Sequence, residues 1–523
     1  MKKYIPYALI ALLFAVVYSR CFDSKLDLNG DNATYIQLAR NIADGLGYSN
    51  VSPNGITPAS HFPPGYPAFL AFFVWIGLDS LFLFKVLNGI LLCLSLLLIY
   101  RVAERLSGNR AVALSASLLA CFSPQLMHFS SMAMSEMLYL FCTVMSFFAL
   151  YRYSLSKKSF YLSPWFFVAL LSAAATYYIR TVGASVLFAV VLFFLFRKEW
   201  KAAAASVAAI FLLLLPWSLR NSMYGIESRY FGTIMTVNPW RPELGTVSSV
   251  GEMFSKMVTN VDETVIKGFR EILFPFLDMN YSEPSASLGL LAGVLVALTV
   301  LYGCWTLGGR NMRFPFLGFI LANVGLFALW HGGNGVRYVV PVAPFIYIFF
   351  YFGVYNMVAL VARRLSGIGL LGDKWQRSAY LLLLLALPAI APIKEQSAVA
   401  KQPFPPAYKN YFAIAQTIQK QLPRGCVVSC RKPELFSYFA PSHYAVRYSF
   451  TKDSAKLIAN MLDNNVDFVI LEQLGYSSTP LYLYPAVVEH QELFKVVATL
   501  PAPETFLLSF DKEKARMWLD SLK

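Results

Sequence analysis

The sequence predicts a polytopic α-helical membrane protein of about 11 transmembrane helices, followed by a small C-terminal α/β soluble domain. Three observations predict it. Hydrophobic residues fill 57% of the 523 positions and charged residues only 14%; a soluble chain of this length could not bury so much apolar surface, so the bilayer is the better solvent. Apolar runs near the ~20 residues that a spanning helix needs recur from residue 4 to residue 393. After Lys394 the composition becomes that of an ordinary globular protein.

Taken in order, the expected spans are 4–22, 81–103, 111–128, 136–153, 162–179, 181–196, 202–219, 286–307, 314–330, 338–361 and 379–393. The first begins behind Lys2 and Lys3 like a signal peptide, but Tyr18-Ser19-Arg20-Cys21 offers no small-residue cleavage site, so it reads as an uncleaved span. Two connections, 23–80 and 220–285, are far longer than a link requires, and long loops on a rigid scaffold usually carry function. In the first, Tyr35, Ile36, Ala39, Ile42 and Ala43 form one helical face that ends at Gly45 and is suited to lie on the membrane surface. His61-Phe62-Pro63-Pro64-Gly65-Tyr66-Pro67 then makes a rigid turn. The chain thus divides into a membrane domain, 1–393, and a C-terminal domain, 394–523. In the latter, helices at 407–421 and 453–464 accompany strands at 427–429, 444–448, 468–471, 495–499 and 505–510.

The net charge of +15 has a topological explanation. Cytoplasmic loops collect Lys and Arg, and alternate span ends carry Lys2 and Lys3; Arg101, Arg105 and Arg110; Arg152, Lys157 and Lys158; Arg197, Lys198 and Lys201; Arg310 and Arg313; and Arg363, Arg364, Lys374 and Arg377. The short loops on the other side hold only Arg180 and Arg337. An odd number of spans with the N-terminus inside puts the C-terminal domain outside, and nucleic acid is not expected as a partner. No Walker loop, dinucleotide fingerprint or internal repeat occurs, which argues against an ATP-driven machine. Cys21, Cys93, Cys121, Cys142 and Cys304 lie in or beside spans as packing residues. Cys426 and Cys430 could pair only if the chain turned there, because a strand would separate their Cα atoms by about 13 Å. No Cys/His spacing suggests structural zinc.

The residues able to carry chemistry gather at outward span ends. Asp31, in Asn29-Gly30-Asp31-Asn32, is either a helix N-cap or a general base at the membrane surface. Glu136 opens the fourth span; it is either an acid favoured by the helix dipole or a ligand for acceptor or sugar hydroxyls. Arg180, Arg220 and Arg337 either snorkel or hold phosphate, which a guanidinium fork suits. His61 and His331 face outward, Tyr66 reads first as an interface anchor, and one metal-site reading would join Glu136 to a histidine.

Together these pieces resemble the GT-C membrane glycosyltransferases, in the branch of the dolichyl-phosphate-mannose protein mannosyltransferases and the lipid A aminoarabinose transferases. The resemblance rests on an ordered set over most of residues 1–393: Gly30-Asp31 with Tyr35, Phe62-Pro63-Pro64-Gly65-Tyr66-Pro67, Ser135-Glu136, Arg180, Leu215-Pro216-Trp217 with Arg220-Asn221, and Arg337-Tyr338-Val339-Val340-Pro341. It implies an inverting enzyme that moves a sugar from a polyprenyl-phosphate donor to a lipid, glycan or protein acceptor. Asp31 would be the base. Arg180, Arg220, Arg337 and Tyr338 would hold the donor phosphate, and Glu136, Tyr35, His61 and Tyr66 the acceptor or sugar. No cofactor is required by it, and a divalent metal is left open. Asn32 stands where the family often has a second acid, a departure from the true protein mannosyltransferases. Alternatives are a transporter or flippase, and a non-catalytic or ligase-type protein of envelope polysaccharide assembly. Asn32-Ala33-Thr34, Asn50-Val51-Ser52 and Asn280-Tyr281-Ser282 are glycosylation patterns; a glycan on Asn32 would crowd the base, so a bacterial cytoplasmic membrane with a periplasmic C-terminal domain is preferred.

Overall fold

The computed structural model describes residues 3–226, 230–238, 241–330, 332, 335–366 and 379–522. His331, Lys2, Lys374 and Arg377 lie outside the described residues.

The chain opens with α1 (Ile5–Cys21), crosses the first long loop through α2 (Asp31–Ala43), a hairpin of β1 (Ser49–Ser52) and β2 (Gly55–Pro58), and α3 (Gly65–Trp75), and returns as α4 (Leu81–Ser107). There follow α5 (Arg110–Ala120), α6 (Pro124–Ser130), α7 (Glu136–Ser154), α8 (Pro164–Ile179), α9 (Ala184–Phe196) and α10 (Trp200–Met223). The second long loop contains α11 (Val250–Val261), and α12 (Ser287–Leu329), broken at Gly309, and α13 (Ala343–Ser366) complete the bundle.

Among the described residues six helices are long and apolar enough to cross a membrane, seven if one bent pair counts as a span. The expected count of eleven is therefore not established. The span expected at 111–128 is the bent pair, α5 and α6, which meet at 62°. Ser123 accepts a capping bond from Leu126 N, and Pro124 occupies the first turn, so a new helix starts there instead of the old one continuing. The helices expected at 4–22, 162–179 and 181–196 are apolar but no longer than 17 residues. The segment expected at 379–393 begins as a 3-10 turn, Ala379–Leu385, before α14 (Ala386–Lys401).

Two sets of contacts tie the helices together at opposite ends of α7. At one end Tyr153 donates to Glu199 (2.7 Å), Arg152 lies 4.7 Å over Trp165, and Phe196 stacks on Phe314 at 3.6 Å. At the other end meet Asp31, Glu136, Arg180 and Arg337. The apolar face of α2 does not lie on the membrane surface: Tyr35, Ile36 and Ala39 are buried in the main core against α3 and the bundle, because the loop folds back over the helix ends. A stripe exposed at helical spacing occurs instead on α11, at Val250, Phe254 and Val258. In the Pro-Pro-Gly turn, a Cβ on Gly65 would come 2.7 Å from Tyr178 O, so glycine is what lets α3 start against the end of α8.

After α15 (Pro406–Gln421), β3 (Val427–Ser429), α16 (Pro433–Phe439), β4 (Tyr444–Val446), α17 (Ser454–Asp463), β5 (Phe468–Leu471), β6 (Phe494–Leu500), β7 (Thr505–Phe510) and α18 (Lys512–Ser521) build a five-stranded sheet of order β4-β3-β5-β7-β6. β4, β3 and β5 run parallel; β7 and β6 are antiparallel. Cys426 and Cys430 are both free thiols. One apolar cluster of this sheet includes Leu26 and Ala33, so it is packed directly on the first long loop.

Candidate functional site

Four charged side chains from four distant parts of the chain form one network. Arg337 donates from Nη2 to Asp31 Oδ2 (2.7 Å) and from Nε to Glu136 Oε1 (3.3 Å). Arg180 Nη1 lies 2.8 Å from the same Glu136 Oε1 and donates to Ser135 Oγ at 3.1 Å. Local structure fixes each member. Arg180 ends α8 in an extended conformation, which turns its side chain back across the opening of α7. Glu136 stands in the first turn of α7, where the helix dipole favours an acid. Arg337 sits on a short 3-10 turn, Gly335–Tyr338, before α13.

Asp31 is not an N-cap. Gly30 holds that position with φ 97°, no side chain caps the helix, and Asp31 stands in its first turn. The left-handed φ explains the glycine, and the space agrees: a Cβ there would lie 3.4 Å from Glu434 Oε2. Released from capping, the Asp31 carboxylate turns to Arg337 and keeps 28% of its side chain accessible, whereas Glu136 is wholly buried. The asymmetry divides the network. Glu136 with Arg180 is its buried end; Asp31 with Arg337 is the end that a ligand can touch.

The other expected ligands take different places. Tyr35 is buried, with its hydroxyl 3.3 Å from Ser135 Oγ, and supports the network from below. Tyr66 is fully buried, accepts a bond from Asn88 Nδ2 (3.1 Å) and packs edge-on to Tyr35 at 5.1 Å. It is therefore not an interface anchor: the turn before it drives the ring inward. Tyr338 stacks on Phe327 at 4.8 Å, and His61 is exposed beside Phe62. Arg220 is apart from the network. It donates to Tyr48 O (2.9 Å) and Ala59 O (2.8 Å) at the base of the β1–β2 hairpin, with its guanidinium near the rings of Tyr48, Trp217 and Tyr224. Among the described residues no group of three or more His, Cys, Asp or Glu is placed to hold a metal ion.

Sequence reasoning missed the contribution of the C-terminal sheet. Lys432, three residues past the end of β3, donates to Asn29 O (2.7 Å), and Glu434 packs on Gly30. The corner that presents Asp31 is thus gripped from the membrane side by Arg337 and from the soluble side by Lys432. The available signal was weak: the charged Arg431-Lys432-Pro433-Glu434 run immediately after a strand.

No family model matches the chain, and no curated protein matches it in sequence. Solved structures do match its fold. ArnT from Cupriavidus metallidurans bound to undecaprenyl phosphate aligns with a TM-score of 0.58 at 12% identity, over 96% of this chain and 97% of that one. The oligosaccharyltransferase of Archaeoglobus fulgidus, tethered to an acceptor peptide, aligns with a TM-score of 0.57 at 13% identity, over 97% of this chain and 74% of that one. A second structure of that transferase, with zinc and sulfate, gives 0.56 at 13% identity over 95% and 72%. The chain shares the fold of the GT-C membrane glycosyltransferases.

Proposed function

We propose that the protein is an inverting glycosyltransferase that moves a sugar from a polyprenyl-phosphate donor to an acceptor hydroxyl at the membrane surface, with Asp31 as the base. The observation that carries this is the Asp31–Arg337 pair at 2.7 Å, accessible to ligand and anchored from beneath by buried Glu136. In the reaction Asp31 takes the hydroxyl proton, the acceptor oxygen bonds to the anomeric carbon, and the bond to phosphate breaks with its electron pair leaving on phosphate. A phosphate leaves without much protonation, so a fixed cation serves it better than a general acid.

Geometry refines the role of Arg337. In-line displacement places acceptor oxygen and anomeric carbon between base and leaving group, each contact being about 3 Å, so base and phosphate-binding cation must stand well apart during reaction. Arg337 cannot hold Asp31 at 2.7 Å and the departing phosphate at once. The proposal is an exchange. Donor phosphate draws Arg337 off Asp31, and the freed carboxylate becomes available to the acceptor. Arg220 then belongs to the hairpin and not to the phosphate, since both of its Nη groups donate to backbone carbonyls there. The charge stabilisation is assigned to the guanidinium groups that the two acids of the site hold in place.

Localisation in a bacterial cytoplasmic membrane, with site and sheet on the periplasmic side, is part of the same proposal. The glycosylation pattern at Asn32 no longer bears on it: Asn32 is fully buried and cannot carry a glycan in this fold.

The test is polyprenyl-phosphate binding to the purified protein, measured by native mass spectrometry. Arg337→Ala should weaken binding by at least about tenfold, the loss of one charge-assisted hydrogen bond, while Arg220→Ala changes it less than about threefold. Unchanged binding in Arg337→Ala, with loss in Arg220→Ala, would reverse the assignment.

A further inference from the structure

The three parallel strands β3, β4 and β5 all end on one side of the sheet, and charge follows each within three residues: Arg431 and Lys432 after β3, Arg447 after β4, Glu472 after β5. Ligands of open parallel sheets bind outside the carboxyl ends of the strands. Here that edge faces the corner carrying Asp31, as the Lys432–Asn29 bond shows.

Its charges do not cancel. Glu472 is buried and has both oxygens occupied, Oε2 by Leu474 N and Oε1 by the Thr479 hydroxyl, each at 2.5 Å. Glu434 Oε1 is occupied by Arg447 Nη2. Lys432 is only 8% exposed, yet among the described residues its ammonium has a neutral carbonyl as partner and no carboxylate within 4.0 Å. A buried ammonium without a counter-charge is costly unless an anion completes it. Arg431, 5% exposed, lies 5.1 Å from the Phe450 ring and 4.4 Å from the Tyr476 ring, and Tyr476 also lies 4.7 Å from Lys432. The aromatic walls hold both cations beside the edge. Arg447 is about one third exposed and forms the way in.

We propose that Arg431, Lys432 and Arg447, at the carboxyl edge of the C-terminal sheet, bind a phosphoryl group carried by the acceptor and so present its hydroxyl to Asp31. Two guanidinium forks and an ammonium match the several oxygens of a phosphate monoester better than the two of a carboxylate. The word acceptor rests on the glycosyl-transfer reading; the anion site itself does not.

The experiment measures thermal unfolding of the full chain in phosphatidylcholine nanodiscs at constant ionic strength. One arm titrates inorganic phosphate; a second replaces part of the lipid with phosphatidic acid. A ligand that binds only the folded state raises the melting temperature in a saturable way. Wild type should show that rise, and Arg431→Gln/Arg447→Gln should lose it. A rise in the first arm assigns the site to a soluble phosphate, and a rise only in the second assigns it to a lipid-borne one; both support the proposal. Should the double variant fold poorly, Arg447→Gln alone, at the accessible rim, should raise the half-saturating phosphate at least about tenfold, and Glu434→Gln, which releases Arg447, should lower it. No rise in either arm, or a rise that survives in the arginine variants, overturns the proposal. Asp31→Asn keeps the rise, so a protein that binds phosphate in this way yet transfers no sugar would refute the transfer reading and leave the anion site standing.

Discussion

Removing the Glu136 charge is the sharpest test of the network's internal logic. Glu136 is fully buried and its Oε1 lies 2.8 Å from Arg180 and 3.3 Å from Arg337, with side-chain exposures of only 15% and 26% for the two arginines. Glu136→Gln keeps shape and volume but leaves two guanidinium groups facing a neutral amide. Breaking a buried pair by removing one partner costs about 3–5 kcal/mol, and the partial exposure of Arg337 places this case near about 3 kcal/mol. The assay is equilibrium unfolding in mixed detergent micelles, comparing wild type, Glu136→Gln, Arg180→Gln and the double variant. In the double variant one of the stranded cations is gone, so its loss should be smaller than the two single losses added, with a coupling of at least about 1 kcal/mol. Additive losses, or a Glu136→Gln cost below about 1 kcal/mol, would refute the view that this buried acid holds the two arginines in place.

Two further outcomes follow from the corner and the sheet. Gly30→Ala forces an L-residue to φ 97° and puts its Cβ 3.4 Å from Glu434 Oε2; it should cost about 1–2 kcal/mol in the same unfolding assay, with a proportionally larger loss of transfer because Asp31 is displaced. Burial pushes the Glu472 carboxyl above the usual carboxylate range, against the opposing bonds from Thr479 and Leu474. Below about pH 4.3 both folded and unfolded chains hold that proton; as pH rises the unfolded chain ionises first, so stability falls until the folded carboxyl ionises as well. Unfolding measured across that window should show the fall in wild type and lack this contribution in Glu472→Gln.

Hydropathy and charge made much of this legible. The apolar runs mark the helices to within a few residues, as at 202–219 against Trp200–Met223, because a span has little freedom in composition. The same pattern gave no sign of the bend between α5 and α6, since Ser123-Pro124 is a helix start concealed inside an apolar run. The alternating strands of the C-terminal sheet were readable, whereas α16 and α18 were not, being short and flanked by charge. Asp31, Glu136, Arg180 and Arg337 were each visible as charges at depleted span ends, but nothing in the sequence said that they touch. That depends on α8 ending extended at Arg180 and on Arg337 sitting in a 3-10 turn. Arg220 looked equivalent to the other arginines and is not, because the β1–β2 hairpin reaches it across a separation of more than 150 residues. Lys85 stayed hidden within an apolar run; it is buried and donates to Asp23 O at 2.7 Å, securing the start of the loop that leads to Asp31. Long-range contacts of this kind leave no local trace.

The central claim is that Asp31 accepts a proton during sugar transfer. Because Asp31 does not cap α2, Asp31→Asn removes the base without removing a cap, and matched protein levels separate the lost proton acceptor from the weakened bond to Arg337. The decisive measurement is mass spectrometry of envelope glycans, lipids and proteins from a deletion strain complemented with wild type or with Asp31→Asn at matched protein levels. Deletion should remove one sugar mass from a defined acceptor, wild type should restore it, and Asp31→Asn should not. Restoration by Asp31→Asn to the wild-type extent would contradict the account.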